Sequence, residues 1–262
     1  MDAEARSRLG ARRVPPVRRD SVARVARTRA KRRPAIEAEP LGPEPGPTFA
    51  EELERQGLVE ATVQRTRAVI AHSNAAAVEH ARVNLKVISC LDCRAPKGCC
   101  WLVTGAYLHE GVAIAARLID EGRDTPELRQ ALGTAAHEME TSDTMSYRRP
   151  CVFLGPDDRC TVYEDRPSVC GAHLVTSPAM ACSDSTATTV SALVGTLHTE
   201  TPRQVAEQFR ASLSLPPLDI PYRGALPRMV LLCLEAWHRR DHLRSLAGRV
   251  RPAVHRYRWA IR

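Results

Sequence analysis

Aromatic side chains are scarce in this 262-residue chain: Phe, Trp and Tyr together make up 4% of it. A core here has to be built from Ala, Val and Leu, which suits helix packed on helix better than a sandwich of sheets. Hydrophobic residues reach 44%, so such a core is within reach. Long apolar runs are missing as well. The longest, MVLLCLEAW at 229–237, is broken by Glu235 and is far shorter than the ~18 residues of a membrane span. The N-terminus has charges without the apolar segment of a secretory signal. No Walker loop, no Gly-x-Gly-x-x-Gly after a strand and no Ser/His/Asp arrangement is found, so nothing points to nucleotide or hydrolase chemistry. No internal repeat is visible. The expectation is a cytoplasmic protein without membrane contact, in a reducing compartment. Structural disulfides are not expected there, and dense cysteines read as metal-binding or catalytic.

Charge is present but unevenly placed. Residues 1–33 carry twelve Lys or Arg and three Asp or Glu, whereas the rest carries 26 basic and 27 acidic residues. The formal charge of +8 therefore belongs to a tail. Residues 1–47, Arg-rich and then EAEPLGPEPGP, read as a disordered basic tail and Pro/Gly linker. The tail could meet nucleic acid through phosphate charge. A solvated extension is the favoured reading, because no aromatics are interleaved to stack on bases.

Residues 48–262 read as one helical domain with its core motif at 90–182. Thr48-Phe49-Ala50-Glu51 has capping-box spacing and predicts the start of order. After Gly57, Val59, Val63, Thr66 and Ile70 fall at helical spacing, with helix continuing to about Val83. Leu108, Val112, Ala115, Ala116 and Ile119 predict another helix, ended by Gly122. Thr125-Pro126 opens a helix to about Glu140, and Thr201-Pro202 repeats that signal for one to about Leu213. Pro227 opens a last long helix carrying Val230, Cys233, Leu234 and Trp237 on one face. CVFL (151–154) and CTVY (160–163), joined by GPDDR, predict one small β-hairpin. The fold class expected is mainly α, a helical domain with one small β-hairpin organised around a cysteine metal or cluster site.

Eight of the nine cysteines fall between 90 and 182: Cys90, Cys93, Cys99, Cys100, Cys151, Cys160, Cys170 and Cys182. Cys90-x2-Cys93 has the spacing of a bidentate metal claw. A thioredoxin-type pair would need a βαβ setting that is absent. Neighbouring residues point apart in a strand and differ by ~100° in a helix, so Cys99 and Cys100 share one ion awkwardly. Either one is a ligand and the other a packed thiol, or each serves a different metal. The hairpin places Cys151 and Cys160 at its outer ends, and the Arg166-Pro167 corner delivers Cys170. Thiolates brought together repel one another and need a cation, so an empty site should be unstable. Cys182 is an eighth ligand or a loop thiol. Cys233, on an apolar stripe, reads as a packed core thiol. His173 reads as a solvated or hydrogen-bonded side chain rather than a ligand, Glu110 as a structural ion pair, with support of the fold around the cluster as the other reading, and Arg166 as a structural corner.

The C-x2-C…C-C group followed by C-x-F-L…C-x-V-Y-x-x-R-P-x-x-C resembles the YkgJ-type cysteine-cluster (CxxCxxCC) proteins, over about residues 90–175. Cys151, Phe153, Leu154, Cys160, Tyr163, Arg166, Pro167 and Cys170 carry the second half of the resemblance, and Glu110 looks like a family position. Two features depart from the pattern. Five residues separate Cys93 from Cys99, where the family gap is shorter, and Gly171 stands where the family has arginine. The resemblance implies zinc or iron chelation, often as an iron–sulfur protein. Some relatives are flagellin lysine methylases.

All-cysteine ligation serves an iron–sulfur cluster or Zn2+ alike. The cysteine count exceeds the four of one structural zinc and favours a cluster or two ions. The reading is a metal-binding protein holding an iron–sulfur cluster or zinc through its clustered cysteines, with a redox role and an unidentified redox or substrate partner. Two alternatives stay open: an enzyme of the methylase-like type, and a zinc-stabilised protein that contacts nucleic acid through its tail.

Overall fold

A computed structural model describes residues 46–88, 98–142, 147–172, 174–176, 197–218 and 221–260. The tail and linker expected over 1–47 lie outside the described residues up to Pro45, as do Cys90, Cys93, His173 and Cys182. The fold is mainly α, as expected. Helix α1 is Phe49–Arg55, α2 Leu58–Val83, α3 Leu108–Asp120, α4 Pro126–Thr141, α5 the single turn Ser168–Gly171, α6 Leu197–Ser212, α7 Leu226–Ala236 and α8 His242–Ala260. Strands β1 (Gly105–Tyr107) and β2 (Arg223–Ala225) form a two-stranded sheet.

The predicted capping box at Thr48 is formed. The Glu51 N–H reaches the Thr48 hydroxyl at 3.3 Å, and the Thr48 N–H reaches the Glu51 carboxylate at 2.7 Å. Phe49 and Leu53 are fully buried, and the Phe49 ring meets Trp237 edge-on with centroids 6.2 Å apart. The backbone N–H groups of Phe49 and Ala50 donate to Arg239 and Trp237 carbonyls. The start of α1 is thereby seated on the residues that end α7. Gly122 ends α3 at φ +65°. Its left-handed backbone lets the Arg123 N–H return to the Leu118 carbonyl at 2.7 Å, the expected glycine stop. Thr125 caps α4 by accepting the Leu128 N–H.

The centre of the domain is the pair α3 and α7. Residues 108–116 of α3 are all buried, as are Leu226, Pro227 and Met229–Leu234 of α7. Both helices grow directly from the sheet: β1 runs into α3 and β2 into α7. The strands are antiparallel, with Gly105 opposite Ala225 and Tyr107 opposite Arg223. Bonds from the Leu108 N–H to the Tyr222 carbonyl (2.9 Å) and from the Leu226 N–H to the Thr104 carbonyl (2.8 Å) extend the same register at each end. Helices α2 and α6 pack on the α3 side, and α4 and α8 on the α7 side. Glu140 of α4, its side chain 1% exposed, is held by Arg228 of α7 and Arg256 of α8.

Three details differ from the sequence expectations. The hairpin is reduced to one antiparallel bridge, Leu154 with Cys160, closed by the Gly155 N–H to the Arg159 carbonyl. Tight turns on both sides leave no length for a ladder, and the paired strands lie instead at 105–107 and 223–225. Helix α6 begins at Leu197, so Pro202 lies inside it rather than at its start. The helix opened by Pro227 stops at Ala236, and α8 follows. Helix α8 buries Leu246, Val250, Ala253, Val254 and Tyr257. Those positions have helical spacing, hidden in the sequence by interleaved arginines and Pro252. Among the described residues no helix is long and apolar enough to cross a membrane.

The central pair packs tightly at Gly111, where an added Cβ would stand 2.9 Å from the Met229 carbonyl oxygen. Gly111→Ala should therefore destabilise the fold by about 1–3 kcal/mol through overpacking, although alanine is the better helix former. Urea denaturation checks this; an unchanged or raised midpoint would count against such tight packing.

Candidate metal centre

Cys99 and Cys100 sit on a short 3-10 turn, Gly98–Trp101, just ahead of β1. The 151–160 turn lies against it. The Cys151 N–H donates to the Cys100 carbonyl at 2.7 Å, a direct backbone link between two cysteine segments some fifty residues apart. Phe153 and Val162, 1% exposed each, anchor the turn in the main core. Arg123 holds its far end, donating to the Thr161 hydroxyl at 2.8 Å and to its carbonyl at 3.4 Å. Beyond it, Asp165 receives Arg67 of α2 and Arg117 of α3, each at 3.1 Å. The corner that delivers Cys170 is thus pinned to two helices.

Pro167 then leads into α5, whose Ser168 N–H donates to Glu110 of α3 at 2.7 Å. The other Glu110 oxygen accepts the Tyr107 N–H at 2.8 Å. Gly171 rests on α2: an added Cβ would come within 2.5 Å of Ile70. A side chain at this position would have to displace Ile70 of α2.

Cys99, Cys100, Cys151, Cys160 and Cys170 line one cavity of about 260 Å³. Its remaining wall is mostly apolar and includes Leu102, Val103, Phe153, Val162 and Leu226. Arg166 lines it too, its guanidinium 3.9 Å above the Tyr163 ring. The corner arginine thus stacks on an aromatic face. Cys99 and Cys170 are exposed, and Cys100, Cys151 and Cys160 are half-buried. Among the described residues these thiols share a cavity without three His, Cys, Asp or Glu side chains forming a closed chelate.

The electrostatics are those of crowded thiols. Burial pushes Cys151 up to about 11, with Cys160 and Cys99 adding to the rise against a backbone hydrogen bond from Phe153. Cys170 keeps accessible surface, yet the protein packed around it desolvates the charged form and raises its thiol well above the ordinary value. The neighbouring Cys151, Cys160 and Glu110 raise it further. Cys100 moves the other way, because a hydrogen bond from Cys99 favours its thiolate. In each case a neighbouring thiolate opposes ionisation, and a cation in the cavity would reverse that sign. The donor chemistry suits a soft, sulfur-seeking ion or cluster.

Cys233 lies elsewhere. It is fully buried on α7, with its thiol 3.8 Å from the Leu108 carbonyl, and burial alone raises its pKa. The packing role expected for it holds. Sequence reasoning did not find Arg123, Asp165 or the Cys151–Cys100 bond. None of these carries a local signal, since each depends on which segments the fold brings together. Glu110 was singled out, but its two backbone partners could not be read from the sequence.

No curated protein and no solved structure matches the chain. Residues 89–191, which span both cysteine groups, match the CxxCxxCC family model, described as a "Putative zinc- or iron-chelating domain".

Proposed function

We propose that the protein binds a metal centre in the thiol cavity, and that this centre is an iron–sulfur cluster with a redox role in a reducing, cytoplasmic setting. One observation supports this above the others: five cysteines from two separated segments line a single cavity. At 260 Å³ the cavity far exceeds the room one ion needs, since even a whole water takes roughly 30 Å³ of liquid. Cys151, Cys160, Cys170 and one or both of Cys99 and Cys100 would hold the group. Cys90, Cys93 and Cys182 are proposed as further ligands from their spacing. A bound cluster would supply one-electron chemistry, tuned by hydrogen bonds and by burial. The protein's own part is to hold the sulfurs together and to keep water out with Phe153, Val162 and Leu226.

Anaerobic purification followed by iron, zinc and acid-labile sulfide analysis tests the reading. Iron and sulfide in similar amounts, with brown colour, are expected; stoichiometric zinc in a colourless protein would replace the cluster by a zinc site, and metal-free protein would remove the centre.

Cys160→Ser should lower metal content and melting temperature together, because structural metal binding is folding energy. Cys233→Ala should leave metal content unchanged and cost about 1 kcal/mol of packing. Full metal occupancy in Cys160→Ser would show that this sulfur is not a ligand.

A further inference from the structure

Three acidic side chains in the described core are strongly withdrawn from water, and they are not treated alike. The Glu140 carboxylate is clasped by Arg228 and Arg256, and that of Asp165 by Arg67 and Arg117. Glu110, at 1% exposure, has no ion pair with any cationic side chain among the described residues. Its neighbour His109 is equally buried, and burial lowers its pKa, which favours the neutral ring. Both Glu110 oxygens accept backbone N–H groups, from Tyr107 at the start of α3 and from Ser168 at the start of α5. Those bonds and the first-turn position ease the charge but leave it without a counter-ion. Buried carboxylates are ordinarily paired with a cationic side chain or with a metal. Ser168 stands two residues before Cys170, so the carboxylate lies behind the wall of the thiol cavity. It is near enough to act electrostatically on that cysteine.

We propose that Glu110 is the positioning residue of the metal centre: it fixes the Cys170 turn through the Ser168 N–H, and the cation in the thiol cavity is its missing counter-charge. This rests on the reading that the cavity holds a metal, and it adds a specific division of labour. Without the cation, Glu110 is a charge buried at a cost. With the cation present, the same charge strengthens binding and the turn is held for ligation. Metal occupancy is then coupled to α3, the central helix, through one carboxylate.

The test uses the full chain and zinc alone, with affinity measured by competition against a chromophoric chelator and melting followed with and without zinc. Glu110→Gln keeps the shape, removes the charge and turns one of the two accepting oxygens into an NH2 donor facing a backbone N–H. It should weaken zinc binding at least tenfold, within the 10–100-fold range typical of residues that orient metal ligands. Its melting temperature should fall by more with zinc than without, because the lost acceptor costs both forms and the lost charge costs the zinc-bound one alone. Ser168→Pro gives a second route. It deletes the N–H that Glu110 receives, at a first helical position that tolerates proline, and it should also weaken zinc binding. Wild-type zinc affinity in both variants would overturn the assignment. So would a Glu110→Gln protein that melts lower by the same amount with and without zinc, the mark of a purely structural carboxylate. A wild-type chain that takes neither zinc nor iron would instead sink the metal centre itself, and this assignment with it.

Discussion

The packing of α3 on α7 is the constraint from which the site follows. The two helices start from one three-residue ladder, bury nearly every side chain they carry, and approach closely enough that Gly111 has no room for a Cβ beside the Met229 carbonyl. Everything that forms the cavity is referenced to this pair. The Cys99–Cys100 turn precedes β1. Arg117 and Glu110 of α3 hold the corner and the start of α5, and Leu226, the first residue of α7, closes part of the wall. A shift of one helix along the other would carry Leu226 away from the sulfurs that are referenced to α3.

Holding thiols together without a cation is costly, and the fold meets that cost outside the cavity. Backbone hydrogen bonds do most of the positioning, above all Cys151 N–H to Cys100 C=O and Thr161 N–H to Phe153 C=O. Arginines act from the outer side, on Asp165 and Thr161, rather than on the sulfurs. Apolar residues fill the gaps between the cysteines. The result is a cavity that is apolar on one wall, rich in sulfur, and lined among the described residues by one positive charge, Arg166.

Local signals made several helices legible in the sequence. Capping at Thr48 and Thr125, the stop at Gly122 and the apolar spacing of Leu108–Ile119 are set by neighbours three or four residues away, and the structure reproduces each. Pairings between remote segments were not legible. Nothing near Gly105 announces that it faces Ala225, and nothing in either cysteine group announces the Cys151–Cys100 bond. The 151–163 segment has the β-branched and aromatic content of two strands, but its short turns leave only the Leu154–Cys160 bridge. Helix α8 escaped notice because arginines interrupt its buried stripe. The cavity's five described cysteines were all candidates beforehand, since clustered thiols carry their chemistry in the composition itself. The spatial role of Glu110 depends on a contact 58 residues away.

The ladder also sets an order of events during synthesis. Gly105 pairs with Ala225, 120 positions later, and at 5–20 residues per second a ribosome needs roughly 6–24 s to cover that distance. Only in its last part, after Cys170 has been added, does the chain hold both cysteine segments, and Leu226, part of the enclosure, still follows. The pocket can close only once Leu226 has been added, and until then those sulfurs stay open to oxidants and to metal ions.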